Sequence, residues 1–242
     1  MTFDALVDTR VQGPSAYKLI MICIPIMARD TAEAQEKMAQ AASQADIMEI
    51  RLDVMKDFDL ESMLASSPRP VLVTYRSKRE GGKGTADYVT RTRYLMHAIE
   101  AGAHLVDVEY RLPLDFRHKL LQKRGSSGLV ISVHLLNGTP SKETLEGFLR
   151  KMTATGADIV KIVTRARAWE DNLRVLELIP MARDLGTRII AFSMGPMGRI
   201  SRIFSPLMGG YLTFASLEQG QESASGQIPA RDMKKIMDMI SS

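Results

Sequence analysis

Short runs of apolar, often β-branched residues alternate along the chain with segments in which apolar residues recur every three or four positions. The first pattern is typical of buried strands and the second of amphipathic helices. Strands are predicted at 19–25, 45–52, 70–76, 104–110, 128–134, 157–164, 188–193 and 211–216. Helices are predicted at 31–43, 60–65, 86–100, 114–123, 141–155, 169–184, 198–207 and 229–240.

The regular alternation of strands and helices indicates the architecture. Such alternation favours a parallel sheet with right-handed crossovers. Its eight units predict an α/β protein in which a single (β/α)8 TIM barrel occupies residues 1–242 as one domain, with residues 1–17 as an N-terminal lead-in. An open doubly wound sheet is the alternative, but no GxGxxG motif follows the first strand.

Composition and charge narrow the class of protein. The 242 residues are 45% hydrophobic and 25% charged, as in ordinary globular proteins. Lys and Arg outnumber Asp and Glu by 32 to 28, which suits an anionic small-molecule substrate, but no basic run interleaved with aromatic residues indicates nucleic-acid binding. Cys23 is the only cysteine, and the apolar run 19–27 is too short to cross a bilayer. We therefore expect a cytoplasmic protein without membrane association.

The sixth predicted strand, 157–164, carries Lys161 among apolar neighbours. A buried lysine without a partner loses its proton, and the neutral amine can form a Schiff base with a carbonyl substrate. The alternative is a structural lysine that pairs with a carboxylate of a neighbouring strand. The strand alone leaves both interpretations open.

Polar residues of inward parity cluster where the predicted strands end, which is where the active sites of α/β barrels lie. The set is Glu49, Arg51, Thr74, Arg76, Asp107, Glu109, Ser132, His134, Lys161 and Ser193. A self-neutralising network of acids and bases is the structural alternative. The clustering at one end of the barrel favours a catalytic site. Scattered histidines without HxxxH or CxxC spacing predict no metal site.

Two further features fit a site for an anionic carbonyl compound. His134 is the histidine at a strand end, where it could move protons near neutral pH, although a strand histidine can also be a satisfied core residue. Gly195 and Gly198 precede Arg199 at a predicted helix start, an arrangement that can hold a carboxylate or phosphate. Glycines are also common at ordinary strand–helix turns.

Six motifs, in this order and spacing, resemble those of type I 3-dehydroquinate dehydratases, the Schiff-base enzymes of the shikimate pathway. The resemblance covers essentially the whole barrel. The motifs are EIRLD at 49–53, RSKREGG at 76–82, SVH at 132–134 with TP at 139–140, DIVKI at 158–162, SMG at 193–195 with GRISR at 198–202, and SASGQ at 223–227.

The resemblance implies a reaction and a role for each matching residue. Lys161 would form an imine with the ring ketone of 3-dehydroquinate, His134 would act as general base and acid, and Glu80 would orient His134. Arg199 would hold the substrate carboxylate. The remaining substrate-binding residues would be Glu49, Arg51, Arg76, Ser223 and Gln227. The product would be 3-dehydroshikimate, and no metal or organic cofactor is expected.

Two departures from the family pattern remain, and three functional hypotheses compete, of which the dehydratase is the first. Leu135 stands where a polar residue is expected, and Ser225 stands where a proline is usual, in a loop whose composition suits either a mobile lid or an ordinary exposed loop. The alternative enzyme is a Schiff-base class I aldolase or transaldolase on the same barrel; a non-catalytic barrel that binds an anionic metabolite is the third. The family suggests a homodimer, for which the apolar stripe of Met233, Ile236, Met237 and Ile240 could serve, unless it is the core face of the last helix.

Overall fold

The computed structural model describes residues 20–241 of the chain. In this part, eight parallel strands form one sheet. They are β1 (Ile22–Ile26), β2 (Ile47–Arg51), β3 (Val71–Thr74), β4 (Leu105–Glu109), β5 (Gly128–Leu135), β6 (Ile159–Arg165), β7 (Arg188–Met194) and β8 (Thr213–Phe214). The predicted lead-in, residues 1–17, lies outside the described residues.

The sheet curls into a nearly closed barrel. Its spatial order is β7, β6, β5, β4, β3, β2, β1, β8, so that β1 pairs with both β2 and β8. Across the remaining seam, the Tyr211 N–H donates to the Ile189 carbonyl at 2.6 Å just before β8 begins. The predicted (β/α)8 TIM barrel is confirmed, because sequential parallel neighbours with intervening helices close on themselves.

Helices follow the strands around the outside of the barrel. They are α1 (Thr31–Ala41), α2 (Leu60–Ser66), α3 (Tyr88–Glu100), α4 (Leu114–Lys123), α5 (Lys142–Thr153), α6 (Asp171–Leu176), α7 (Leu178–Asp184), α8 (Arg199–Leu207) and α9 (Ala230–Ser241). The single helix predicted at 169–184 is two helices, because Pro180 lacks the N–H that would bond to the Leu176 carbonyl. Of the helices within residues 20–241, none is both long and apolar enough to cross a membrane.

The inward-facing positions change from apolar to polar along the strands. On β2 the apolar Ile47 is followed by Glu49 and Arg51, and on β6 Ile159 is followed by Lys161; all five are buried. The apolar members pack together at the N-terminal end of the barrel interior. Because parallel strands end at the same rim, the polar members gather at the C-terminal end.

Met233 and Met237 of the last helix are buried in the layer between helices and strands. The apolar stripe of α9 is therefore mainly its core face, as its helical spacing allowed.

Candidate active site

A cavity of about 320 Å³ opens at the C-terminal end of the barrel. Eight of the nine residues that the sequence assigned to the site line it: Glu49, Arg51, Arg76, Glu80, His134, Lys161, Ser223 and Gln227. The ninth, Arg199, does not line it. Residues from five strands and loops thus converge on one space large enough for a small ring compound.

Lys161 is buried, with 3% of its surface exposed, and its Nζ faces the cavity. Of the two alternatives that the sequence left open, the structure shows the paired one: Nζ donates to Asp107 Oδ2 at 3.1 Å. Glu49 Oε1 lies 4.0 Å away, and the Phe214 ring lies beneath Nζ with its centroid at 4.3 Å. The amine is therefore held as part of a charge network while remaining exposed to the cavity.

Asp107 is the centre of that network. Its Oδ2 accepts from Arg76 Nη2 at 2.7 Å, and its Oδ1 accepts from the Ser132 hydroxyl at 2.5 Å. Burial opposes ionisation of Asp107, but the positive charges of Arg76 and Lys161 outweigh burial and lower the pKa of this carboxyl to about 2. Asp107 is thus a fixed anion that positions Lys161 rather than a proton carrier.

His134 lies on β5, next to the Lys161 strand, and its imidazole is nearly buried. Both its backbone N–H and its Nδ1 face Glu80 Oε2, at 3.1 and 3.2 Å. Burial lowers the pKa of His134 well below its usual value, and the cations Arg76 and Lys161 lower it further. The imidazole is consequently neutral near pH 7, and with Nδ1–H donating to Glu80, Nε2 is left to accept a proton.

Glu80 has an environment that weakens its acidity. Burial raises the pKa of this carboxyl to about 7, although Arg76, with Nη1 3.4 Å from Oε2, acts in the opposite direction. The Glu80 Oε1 atom is buried without a hydrogen bond, and its nearest cation is Arg111 Nη1 at 3.9 Å. Glu80 therefore changes charge near neutral pH, next to the imidazole whose Nδ1 it faces.

Arg51 and Arg76 are both tied into the walls of the cavity. Arg51 forms a bidentate ion pair with Asp53 at 2.8 and 2.9 Å. Arg76, besides its bond to Asp107, donates to the Ser132 hydroxyl at 2.9 Å. These arginines therefore lend positive potential to the cavity, while carboxylates of the wall already hold part of each guanidinium.

Arg202, and not Arg199, lies in the cavity where the family resemblance had placed Arg199. Arg199 is the first residue of α8 and is exposed, whereas Arg202, three residues later, is 1% exposed and lines the cavity. Residues three apart lie on similar sides of a helix, so helical spacing alone does not distinguish the two. Their position along α8 does, because Arg199 is its exposed first residue and Arg202 lies most of a turn farther along. Within the described residues, Arg202 pairs with no carboxylate: it donates to the Ser225 carbonyl at 3.3 Å and stacks on Phe192 at 4.4 Å. Burial lowers its pKa to about 9.

The loop before α9 covers the cavity and is fastened to it. The Gln227 side-chain oxygen accepts from the Ser223 N–H at 2.7 Å, and its amide donates to the Ser223 hydroxyl at 3.1 Å. The Ser225 carbonyl accepts from the Gly195 N–H at 3.0 Å. Gly226 has φ +85°, and a Cβ there would lie 2.2 Å from the Gly195 carbonyl oxygen. A close backbone approach that only glycine permits thus holds the loop down.

Sequence reasoning overlooked one contributor and misplaced one. Asp107 was assigned to a possible neutralising network, and it does pair with Arg76 and Lys161. Arg202 was passed over, although it is buried like its neighbours Ser201 and Ser205 on α8. Ser193 does not line the cavity: its hydroxyl bonds to Thr164 at 2.8 Å. The structure describes no group of three or more His, Cys, Asp or Glu residues within 20–241 that could hold a metal ion.

The fold and the site together define a class of protein: a (β/α)8-barrel enzyme with a lysine and a histidine at the mouth of the barrel and cations around them. A family model described as Type I 3-dehydroquinase matches residues 22–242. The chain belongs to the type I 3-dehydroquinase family, and the prediction that it is a hydro-lyase of this type is confirmed.

Similar proteins agree with that assignment. A 3-dehydroquinate dehydratase of Methanococcus maripaludis is 33% identical over 91% of this chain and 100% of its own length. A chloroplastic bifunctional 3-dehydroquinate dehydratase/shikimate dehydrogenase of Arabidopsis thaliana is 38% identical over 92% of this chain; the chain spans only 37% of that relative. A crystal structure of 3-dehydroquinate dehydratase from Geobacillus kaustophilus superposes with a TM-score of 0.82 at 31% identity, covering 91% of each chain.

Proposed function

We propose that this chain converts 3-dehydroquinate to 3-dehydroshikimate and water through a Schiff base between Lys161 and the ring ketone of the substrate. The observation that carries the proposal is the presence of a buried lysine amine and a neutral imidazole, from adjacent strands, in one cavity. A ketone converted to an iminium becomes an electron sink, so a base as weak as histidine can remove a proton from the neighbouring carbon.

Substrate binding would place the carboxylate against Arg202. This is the buried arginine of the cavity without an acidic partner among the described residues, whereas Arg51 and Arg76 are bound to Asp53 and Asp107. An incoming carboxylate would restore full ionic pairing to a guanidinium that burial has weakened. Arg202 therefore replaces Arg199 in the role that the family resemblance assigned. Glu49, Ser223 and Gln227 remain to contact the hydroxyl groups.

Imine formation requires Lys161 to transfer a proton before its nitrogen attacks the ketone. Asp107 is too weak a base to keep that proton, because Arg76 and Lys161 hold its pKa low. Glu49 Oε1, 4.0 Å from Nζ, is the next carboxylate within reach and already accepts from Thr74 at 2.8 Å. We infer that Glu49 takes up the proton and that Arg76 disfavours its return.

His134 would then act twice. Its Nε2 removes a proton from the carbon next to the iminium, which leaves an enamine and an imidazolium paired with Glu80. The imidazolium next gives that proton to the departing hydroxyl, and the enamine electrons reform the iminium as the carbon–oxygen bond breaks. Formation of the first iminium releases one water, as the Glu49 proton passes to the carbinolamine hydroxyl, and the elimination releases a second. Hydrolysis of the conjugated iminium consumes one water and returns Lys161 as the ammonium, so the net reaction is the loss of one water molecule.

The cellular setting is also a proposal. The reaction belongs to the shikimate pathway of aromatic amino-acid biosynthesis, and the single, buried Cys23 suits the reducing cytoplasm.

We further propose a homodimer. Exposed apolar side chains of α6 and α8, including Leu173 at 63% and Phe204 at 40% exposure, offer a face for a second copy. Light scattering of the purified chain measures its mass directly.

Turnover of 3-dehydroquinate tests the proposed function. The purified chain should form the conjugated enone acid, detected by its ultraviolet absorbance. Lys161→Ala should abolish turnover while circular dichroism shows an intact fold, and Lys142→Ala, at an exposed lysine paired only with Glu177, is the matched control. Undiminished turnover in Lys161→Ala would contradict the mechanism. Turnover of a sugar phosphate instead would favour an aldolase.

A further inference from the structure

A second cavity, of about 670 Å³, opens beside the active-site cavity and shares His134 and Leu136 with it. The segment after β5, including Asn137 and Thr139, forms one wall. None of the groups in the proposed dehydration other than His134 belongs to this second cavity. It is therefore a separate space on the same rim of the barrel.

Three arginines line the second cavity: Arg79, Arg111 and Arg167. They come from the ends of three different strands, since Arg79 lies in a 3-10 turn after β3, Arg111 follows β4 and Arg167 follows β6. Residues this far apart in sequence meet only because the barrel brings its loops together. The convergence concentrates positive charge in one concave place.

The carboxylates near this cavity do not neutralise the three arginines. Asp171 lines it too, but its oxygens accept from the Arg167 and Ala168 N–H groups and from the Arg174 side chain. Arg111 approaches Glu80 only to 3.9 Å.

Arg79 and Arg167 have fewer carboxylate contacts than Arg111. Within residues 20–241, neither guanidinium has an ion pair, and the Arg167 side chain lies over Gly138, within 3.9 Å of where a Cβ would stand. Donors of two guanidinium groups therefore remain available to a ligand.

We propose that the second cavity binds a compact multivalent anion of the phosphate type, either free phosphate or the phosphoryl group of an ester. Guanidinium groups present paired N–H donors that match phosphate oxygens, and three of them suit a doubly charged anion better than a single carboxylate. The volume leaves room for more than the anion itself. The proposal depends on these side chains and not on the dehydration chemistry.

Isothermal titration calorimetry of the full chain with inorganic phosphate, and separately with glycerol 3-phosphate, tests the proposal. Both probes should bind, and tighter binding of the ester would identify an esterified ligand. Arg79→Ala and Arg167→Ala should each weaken binding by about tenfold or more, because each removes a charged hydrogen bond. Arg183→Ala, at an exposed arginine of α7, should leave binding unchanged.

Arg202→Met separates this site from the active-site cavity. Phosphate held by the second cavity should bind Arg202→Met as it binds the unaltered chain. Binding that is lost in Arg202→Met but retained in Arg79→Ala and Arg167→Ala would overturn the proposal, as would the absence of measurable heat with either probe. Because the readout is binding, failure of the dehydratase assay alone would bear on the proposed function and not on this site.

Discussion

Replacing Arg202 by methionine separates what this residue does for binding from what it does for the fold. The side chain is 1% exposed, and among residues 20–241 its only hydrogen bond is the 3.3 Å contact with the Ser225 carbonyl. Arg199→Met makes the same chemical change three residues away on the exposed side of α8. The pair of variants therefore compares one arginine inside the cavity with one outside it.

The expected magnitudes follow from burial and charge. Loss of a charged hydrogen bond to the substrate carboxylate is worth about 1.5–3 kcal/mol, which corresponds to a fall in kcat/KM of roughly tenfold to 150-fold. The depressed pKa of Arg202, about 9, represents a cost to the folded state on the order of 5 kcal/mol. Removing the charge relieves that cost, whereas loss of the stacking on Phe192 destabilises the folded state by about 1–2 kcal/mol. We therefore expect the free energy of unfolding not to fall.

Steady-state kinetics with 3-dehydroquinate and urea unfolding measure both effects. Arg202→Met should raise KM and lower kcat/KM with stability retained or increased, and Arg199→Met should change neither kinetic constant by more than about twofold. The reasoning is refuted if Arg199→Met carries the kinetic loss. It is also refuted if Arg202→Met unfolds at markedly lower urea concentration, since the arginine would then be a structural residue.

Three further predictions concern the network, the proton-transfer pair and the loop. Burial raises the pKa of Glu80 to about 7, so the rate should fall as the pH drops below about 7, because protonation removes the charge that holds the His134 Nδ1–H. In a pH–rate profile, Glu80→Gln should abolish this fall at low pH. A fall that persists in Glu80→Gln would assign it to another group. Asp107→Asn should lower the free energy of unfolding by roughly 3 kcal/mol in a urea titration, because the cations Arg76 and Lys161 lose a buried anion. An unchanged free energy of unfolding would show that the network is not held by charge. Gly226→Ala should raise KM, because the new Cβ would displace the loop from the Gly195 carbonyl. Gly220→Ala is the control: Gly220 has the same φ of +85° but open space around it, so the change should cost only about 1 kcal/mol of stability. Equal kinetic effects of the two variants would argue against a role for the contact between Gly226 and Gly195.

The barrel and most of its mouth could be predicted from the sequence because both depend on short-range periodicity. Alternating parity along a strand places Glu49 and Arg51 on one face, and the cavity that both residues line confirms that face as the inner one. The rule that parallel strands end at one rim then brings His134 and Lys161 to the same cavity without any knowledge of their contacts.

Contacts between distant elements could not be predicted in this way. Whether Lys161 is paired depends on Asp107, two strands away, and on how far that side chain extends across the barrel interior. The choice between Arg199 and Arg202 depends on where α8 begins relative to the rim of the barrel, because Arg199 is its exposed first residue and Arg202 is buried beside Ser201 and Ser205. The pairing of Lys161 and the burial of Arg202 both depend on packing in three dimensions, which strand parity and motif spacing do not determine.

Borohydride trapping tests the central chemistry most directly. The chain is incubated with 3-dehydroquinate, reduced with sodium borohydride, digested and examined by mass spectrometry. The account predicts a stable secondary amine at Lys161 carrying the mass of the reduced ligand, absent when substrate or borohydride is omitted. An enzyme that turns over 3-dehydroquinate but leaves Lys161 unmodified would contradict it.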